Sequence, residues 1–202
     1  MRKVFIILIL LYATNATSDA KNKNELDYMI YKNKVVAGDM EYVPILFKSF
    51  YDAREYLDDE ASFVLNQLKI SAKNGETESI HFLGQLFLEG LYVEKNESKG
   101  LELLIKSATK GWVASKIILG VHYLGLINSE NDALDNAKYW FESAASTGNI
   151  DAMYQLGVTI LAHESRSHKQ AEYWLHKALI NGHSEALSSL QIYYEMLNKY
   201  KM

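Results

Sequence analysis

The sequence predicts an all-α chain built as stacked antiparallel helical hairpins. Three observations carry this. The 202 residues include one proline and eleven glycines, so few breakers that most of the chain is free to be helical. Five of the glycines, Gly38, Gly75, Gly111, Gly148 and Gly182, follow one another at spacings of 37, 36, 37 and 34 residues, a period typical of repeat architectures. Behind each of them, apolar and small residues return every fourth position, which places them on one helix face.

Residues 1–20 read as a secretory leader and not as part of the fold. Met1-Arg2-Lys3 is positive, Val4 to Tyr12 is apolar, and Ala13 to Ala20 is small and polar, with cleavage after Ala16 or Ala20. The apolar run is about half the roughly 20 residues that span a bilayer. No second long apolar run follows. The expected location is therefore secreted or periplasmic, with no stable membrane insertion after cleavage. Residues 21–37 follow as an N-terminal capping helix, and 38–202 form the array. Its units lie near 38–74, 75–110, 111–147 and 148–181, with a terminal helix in 182–202.

Each unit opens with a helix, A, after its anchor glycine. Eight residues on stand Leu46, Leu83, Leu119, Leu156 and Leu190; four on stand Tyr42, Ser79, Ser115, Ala152 and Ala186. Twelve on are Phe50, Phe87, Tyr123, Ile160 and Tyr194. The residue after the leucine is Gly84, Gly120 or Gly157 in the middle units, but Phe47 in the first and Gln191 in the last. A glycine inside a helix costs about 1 kcal/mol against alanine, so its use there implies close approach of a neighbouring backbone. A second helix, B, follows with small, bulky and small residues at offsets 0, 3 and 7. They are Gly100, Leu103 and Ser107; Ala137, Trp140 and Ala144; and Ala171, Trp174 and Ala178. The next anchor glycine ends it.

These units resemble the Sel1-like repeat, a cousin of the tetratricopeptide repeat. Residues 71–108 carry the resemblance best, through Gly75, Leu83-Gly84, Phe87, Gly90, Val93, Glu97, Lys99, Lys106 and Ala108. Residues 108–145 and 145–179 carry it through Leu-Gly and Ala-x-x-Trp, and 38–72 depart from it at Phe47 and Gln67. The resemblance implies a right-handed α-solenoid in which each unit touches its neighbours.

Composition narrows the chemistry. A net charge of −4 gathers no phosphates, so nucleic acid is not an expected partner. With no cysteine, disulfides and thiolate chemistry are excluded. Ser107-Ala-Thr-Lys110 fits a Ser-x-x-Lys nucleophile pattern, and some cysteine-rich exported relatives have been called β-lactamases. Here the companion motifs are missing and Ser107 falls in the small column of helix B, which reads as packing. His163 and His168 flank a loop that reads as solvated, and Asn96-Glu-Ser matches a glycosylation sequon. No catalytic residue, metal ligand or cofactor is expected; a peptidoglycan- or β-lactam-active hydrolase is the alternative.

The expected function is a non-enzymatic interaction module that holds a protein on its concave face. It would serve as an adaptor or as an inhibitor, including an immunity-type inhibitor, of a cell-envelope enzyme or toxin. By analogy with tetratricopeptide repeats, the exposed positions of the A helices supply the contacts: Glu41, Lys48, Tyr51, Glu78, His81, Gln85, Glu89, Asp151, Tyr154 and Glu185. Three residues after the anchors, four of five positions are acidic: Glu41, Glu78, Asp151 and Glu185. The column reads either as a ladder for a basic partner or as acids answering the positive ends of the A helices.

Overall fold

The computed structural model describes residues 23, 26–52, 58–128, 132–163 and 168–199. The expected leader, residues 1–20, lies outside them. Two compact units divide the chain, Met1–Leu103 and Leu104–Met202. Among the described residues every regular element is helical, and the fold class is the helical-hairpin solenoid expected from the sequence.

In the first unit, α1 covers 26–36. A single 3-10 turn, Met40–Tyr42, leads into α2 (Val43–Asp52); α3 (Ala61–Lys73) and α4 (Thr77–Glu89) follow, and α5 (Glu97–Thr109) begins here. Helix α3 packs against both α2 and α4, and α2 also touches α4. The core joins Leu46, Phe50, Val64, Leu68, Ile80 and Leu86. Tyr28 of α1 is fully buried in it. Lys32 Nζ lies 2.6 Å from a Glu60 carboxylate oxygen just ahead of α3 and sits over the Phe63 ring, so α1 is fastened as a cap by apolar and charged contacts together.

The second unit holds α6 (Val113–Gly125), α7 (Ala133–Ala145), α8 (Ile150–His163), α9 (His168–Ile180) and α10 (Ala186–Lys199). Helix α7 packs on α6 and α8, α9 packs on α8 and α10, and α8 also touches α10. Its core is built of small residues, Ala137, Ala144, Ala152, Ala171 and Ala178, around Phe141, Leu156 and Ile160.

The glycines play two distinct parts. All five anchors have φ between +92 and +100. At Gly38, Gly75, Gly111 and Gly182 the anchor amide returns to a carbonyl three residues back. The next amide returns five back, as Glu76 N–H does to Ser71 O at 3.2 Å and His183 N–H to Ala178 O at 3.0 Å. This pair of bonds satisfies the last carbonyls of the preceding helix and requires a left-handed residue. A Cβ at Gly38, Gly111, Gly148 or Gly182 would meet nothing within 4 Å, so backbone conformation alone selects glycine there.

The helical glycines answer to space instead. A Cβ on Gly120 would lie 2.6 Å from Phe141 Cε1, and one on Gly157 would lie 2.8 Å from Leu175 Cγ and 3.1 Å from the Leu175 amide nitrogen. The expected approach of a neighbouring backbone therefore occurs at Gly157, whereas at Gly120 a phenylalanine ring fills the space. At Gly84 the approach comes from another glycine: a Cβ on Gly100 would meet Gly84 O at 2.9 Å.

Side chains cap the starts of α8, α5 and α4. Asn149 Oδ1 accepts from Ala152 N–H at 2.8 Å, Asn96 Oδ1 from Lys99 N–H at 3.0 Å, and the Glu76 carboxylate from Glu78 and Ser79 N–H. No described helix is long and apolar enough to cross a membrane.

Candidate functional site

In the first unit the faces of α2 and α4 enclose a cavity of about 110 Å³ lined by Phe47, Lys48, Tyr51, Phe82, Gln85, Leu86 and Glu89. Lys48, Tyr51, Gln85 and Glu89, four of the residues expected on the A-helix face, thus meet around one depression. Its floor is aromatic. The Phe47 and Phe82 rings lie 4.8 Å apart, and Tyr51 tilts against Phe47 at 6.0 Å. Lys48 and Glu89 stand exposed at the rim, while Tyr51 and Gln85 are half-buried. The floor was missed by periodicity, although its signal was present. Phe47 stands where the middle repeats carry glycine, and its ring packs on Phe82 of α4.

On α4, Glu78, Phe82, Gln85 and Glu89 follow at spacings of four, three and four, so they share one face. Burial raises the Glu78 carboxyl above the usual carboxylate range, the Glu76 charge adds to this, and the Lys48 ammonium partly opposes it. Glu78 thus lies in the first turn of α4, where the helix dipole favours it, but half-buried and beside a second carboxylate. The capping hydrogen bonds belong to its neighbour Glu76.

His81 corrects the expected face. It is only 4% exposed, and its ring tilts on Phe82 at 5.3 Å. Burial lowers its pKa to about 4. The analogy with tetratricopeptide repeats places it outward, but α4 buries Ile80, His81, Leu83, Gly84 and Leu86 together, a wider arc than the four-residue columns alone. Glu41 lies exposed in the 3-10 turn before α2 and does not line the cavity.

In the second unit, Asp151, Tyr154 and Glu185 surround a residue that the columns passed over, His183. Its imidazole stacks on the Tyr154 ring with centroids 4.0 Å apart and planes at 16°. Its Nε2 stands 3.7 Å from Asp151 Oδ1. The Ser189 hydroxyl donates to Tyr154 Oη at 3.4 Å. An open cleft of about 330 Å³ lies beside this group, lined by Ile150, Asp151, Gly182, His183, Ser184 and Glu185. Asp151, 76% exposed, also occupies the first turn of α8, so the helix dipole accounts for its place in the acidic column without a ligand. Glu185 is exposed just ahead of α10. His183 could have been found by its position directly after an anchor glycine, where Glu76 and Asn149 cap their helices in other repeats.

Ser107 is fully buried, in the same column as Ala144 and Ala178, and its hydroxyl offers no accessible nucleophile. Among the described residues no three His, Asp or Glu side chains gather as metal ligands would. The loop between His163 and His168 lies outside the described residues.

Comparison with known proteins gives a consistent picture. The Sel1 repeat family matches residues 77–112, 117–149 and 150–183, about half of the chain. An uncharacterized Escherichia coli K12 protein, YibG, is 35% identical over 95 residues, which are 46% of this chain and 60% of YibG. The chain therefore matches less than two thirds of that relative's length. The crystal structure of a Sel1 repeat protein from Oxalobacter formigenes superposes with a TM-score of 0.51 at 25% identity, over 63% of this chain and 96% of that one. The structure of c5321, a protective antigen of uropathogenic Escherichia coli strains displaying an SLR fold, gives a TM-score of 0.69 at 20% identity, over 84% of this chain and 36% of that one.

Proposed function

The chain belongs to the Sel1 repeat family, and from that premise we propose that it is an exported, non-enzymatic module that holds a protein partner on the exposed faces of its A helices. The observation that carries this reading is the cavity between α2 and α4, an aromatic floor with charged and polar side chains at its rim. An apolar centre ringed by polar groups is the anatomy of a protein-binding surface. Its small volume suits one side chain better than a whole metabolite. Export rests on the leader-like order of residues 1–20, charged, apolar, then small. A role as adaptor or as inhibitor of a cell-envelope enzyme or delivered toxin fits a chain whose working part is a surface.

The test is affinity capture from the native host with the full chain, compared with Glu78→Lys and Asp151→Lys variants. A specific protein that the native chain retains and Glu78→Lys loses supports the reading. Equal retention by both variants defeats the assignment to the A-helix faces.

A further inference from the structure

We propose that the α2–α4 cavity is an anchor pocket for one bulky aliphatic side chain of an extended partner segment, and that Glu78 and Glu89 take lysine or arginine side chains standing two residues to either side of that anchor. The inference rests on the interaction-module reading and specifies its partner.

The cavity sets the anchor. About 110 Å³ bounded below by Phe47, Phe82 and Leu86 is the order of size of one leucine or methionine side chain. Its walls are built. Phe47 and Leu86 are buried, and the Phe47 and Phe82 rings are held against each other at 4.8 Å. The pocket is therefore formed before any partner arrives, which keeps the ordering cost of binding low.

The charges set the neighbours. Glu89 lines the pocket at one end of the shared face of α4, with Lys48 on α2 as the cation at the rim, and Glu78 stands outside the lining, one turn before Phe82 on that face. Glu76 adds a further negative charge beside Glu78. The face is thus acidic on either side of an apolar centre. A segment of opposite charge would relieve the repulsion between Glu76 and Glu78. From Glu78 to Phe82 is four residues of helix, about 6 Å of rise. Same-face side chains of an extended chain recur at about 6.6 Å, so a cation two residues from the anchor reaches Glu78 while the anchor enters the pocket. Glu89 lies eleven residues beyond Glu78, about 16 Å along the helix, and the two cations of an extended segment stand about 13 Å apart, a difference that long lysine or arginine side chains span. The pattern is cation, any residue, aliphatic, any residue, cation. It reads alike in both chain directions.

The test uses a capped heptapeptide with leucine at its centre, lysine two residues to either side and glycine elsewhere, titrated into the full chain at low salt and followed by backbone amide NMR. Shifts are expected at Lys48, Tyr51, Gln85 and Glu89. Alanine in place of the leucine is expected to weaken binding about tenfold or more, and glutamates in place of the lysines to abolish it. Phe82→Ala risks unfolding the unit, so the cavity is instead filled from its half-exposed rim by Gln85→Trp, which is expected to remove the shifts with the helical spectrum intact. Equal affinity for the leucine and alanine peptides, or shifts that map elsewhere, overturns the anchor. A host protein captured equally by the native chain and by Gln85→Trp also overturns the anchor but leaves the module reading standing. Failure of the native chain to capture any host protein, with peptide binding intact, defeats the module reading and not the pocket.

Discussion

From Leu104 to the terminal helix, which departs at Gln191, the repeat columns keep their occupants. Gly120 and Gly157 face Phe141 and Leu175, and the small positions are filled by Ala137, Ala144, Ala171 and Ala178. Before Leu104 the first repeat puts Phe47 in the glycine column and Gln67 in the bulky column, and its core is rich in aromatic side chains from α1, α2 and α4. The regular region closes its A–B contacts tightly. The irregular one directs Phe47 toward the next A helix and leaves a cavity beside it. The cavity therefore arises where one departing side chain, Phe47, meets the regular A helix of the best-matching repeat, α4.

The largest expected effect sharpens that contrast. Phe141→Ala and Phe47→Ala each remove a buried ring and should each cost about 3–5 kcal/mol in chemical denaturation. Only Phe47→Ala should also abolish binding of the lysine–leucine–lysine peptide, and equal binding by both variants would erase the distinction between the regions.

Next comes a pH effect confined to the first unit. His81 titrates near pH 4 when folded and near 6.5 when unfolded. Between those values the unfolded chain binds more protons, so stability falls as pH drops from 6.5 to 4 and this contribution levels off below it. The displacement amounts to about 3 kcal/mol. His81→Leu should flatten that part of the stability profile, and a profile parallel to the native one would contradict the burial of a neutral imidazole.

Glycine substitutions separate the two roles assigned above. Gly120→Ala gains about 1 kcal/mol of helix propensity but drives a methyl into the Phe141 ring, for a net loss of about 1–3 kcal/mol. Gly148→Ala meets no neighbour but must hold φ near +92, a loss of about 1–2 kcal/mol. Pairing each with Phe141→Leu should rescue Gly120→Ala and leave Gly148→Ala unchanged. Smallest is Asn149→Ala, which removes the α8 cap and should cost about 1 kcal/mol, read as a lowered denaturation midpoint.

The anchor glycines were legible because a left-handed turn admits few residues, and the leucines eight positions later because every A helix buries them. Less legible was the width of the buried arc. Trp140 is buried as its helix-face pattern implies, and Leu104, Phe141 and Leu175, one position beyond Leu103, Trp140 and Trp174, are buried completely. A B helix that packs on two A helices, as α7 does on α6 and α8, buries adjacent positions that a single-face pattern separates. The same width hid the burial of His81. His183 escaped because it sits in a turn, where helix columns say nothing, and Phe47 was visible as an exception whose consequence depended on Phe82 thirty-five residues away.

The most direct test of the A-helix face as a gripping surface is site-specific photo-crosslinking from position 85 of the full chain in its native host, with the exposed position 173 of the B helix α9 as the control. One discrete adduct from position 85 is expected, to a partner segment with an aliphatic residue between two basic ones, and it should vanish when Glu78 and Glu89 are both reversed to lysine. An adduct from position 173 alone, or one from position 85 that survives the double reversal, would contradict it.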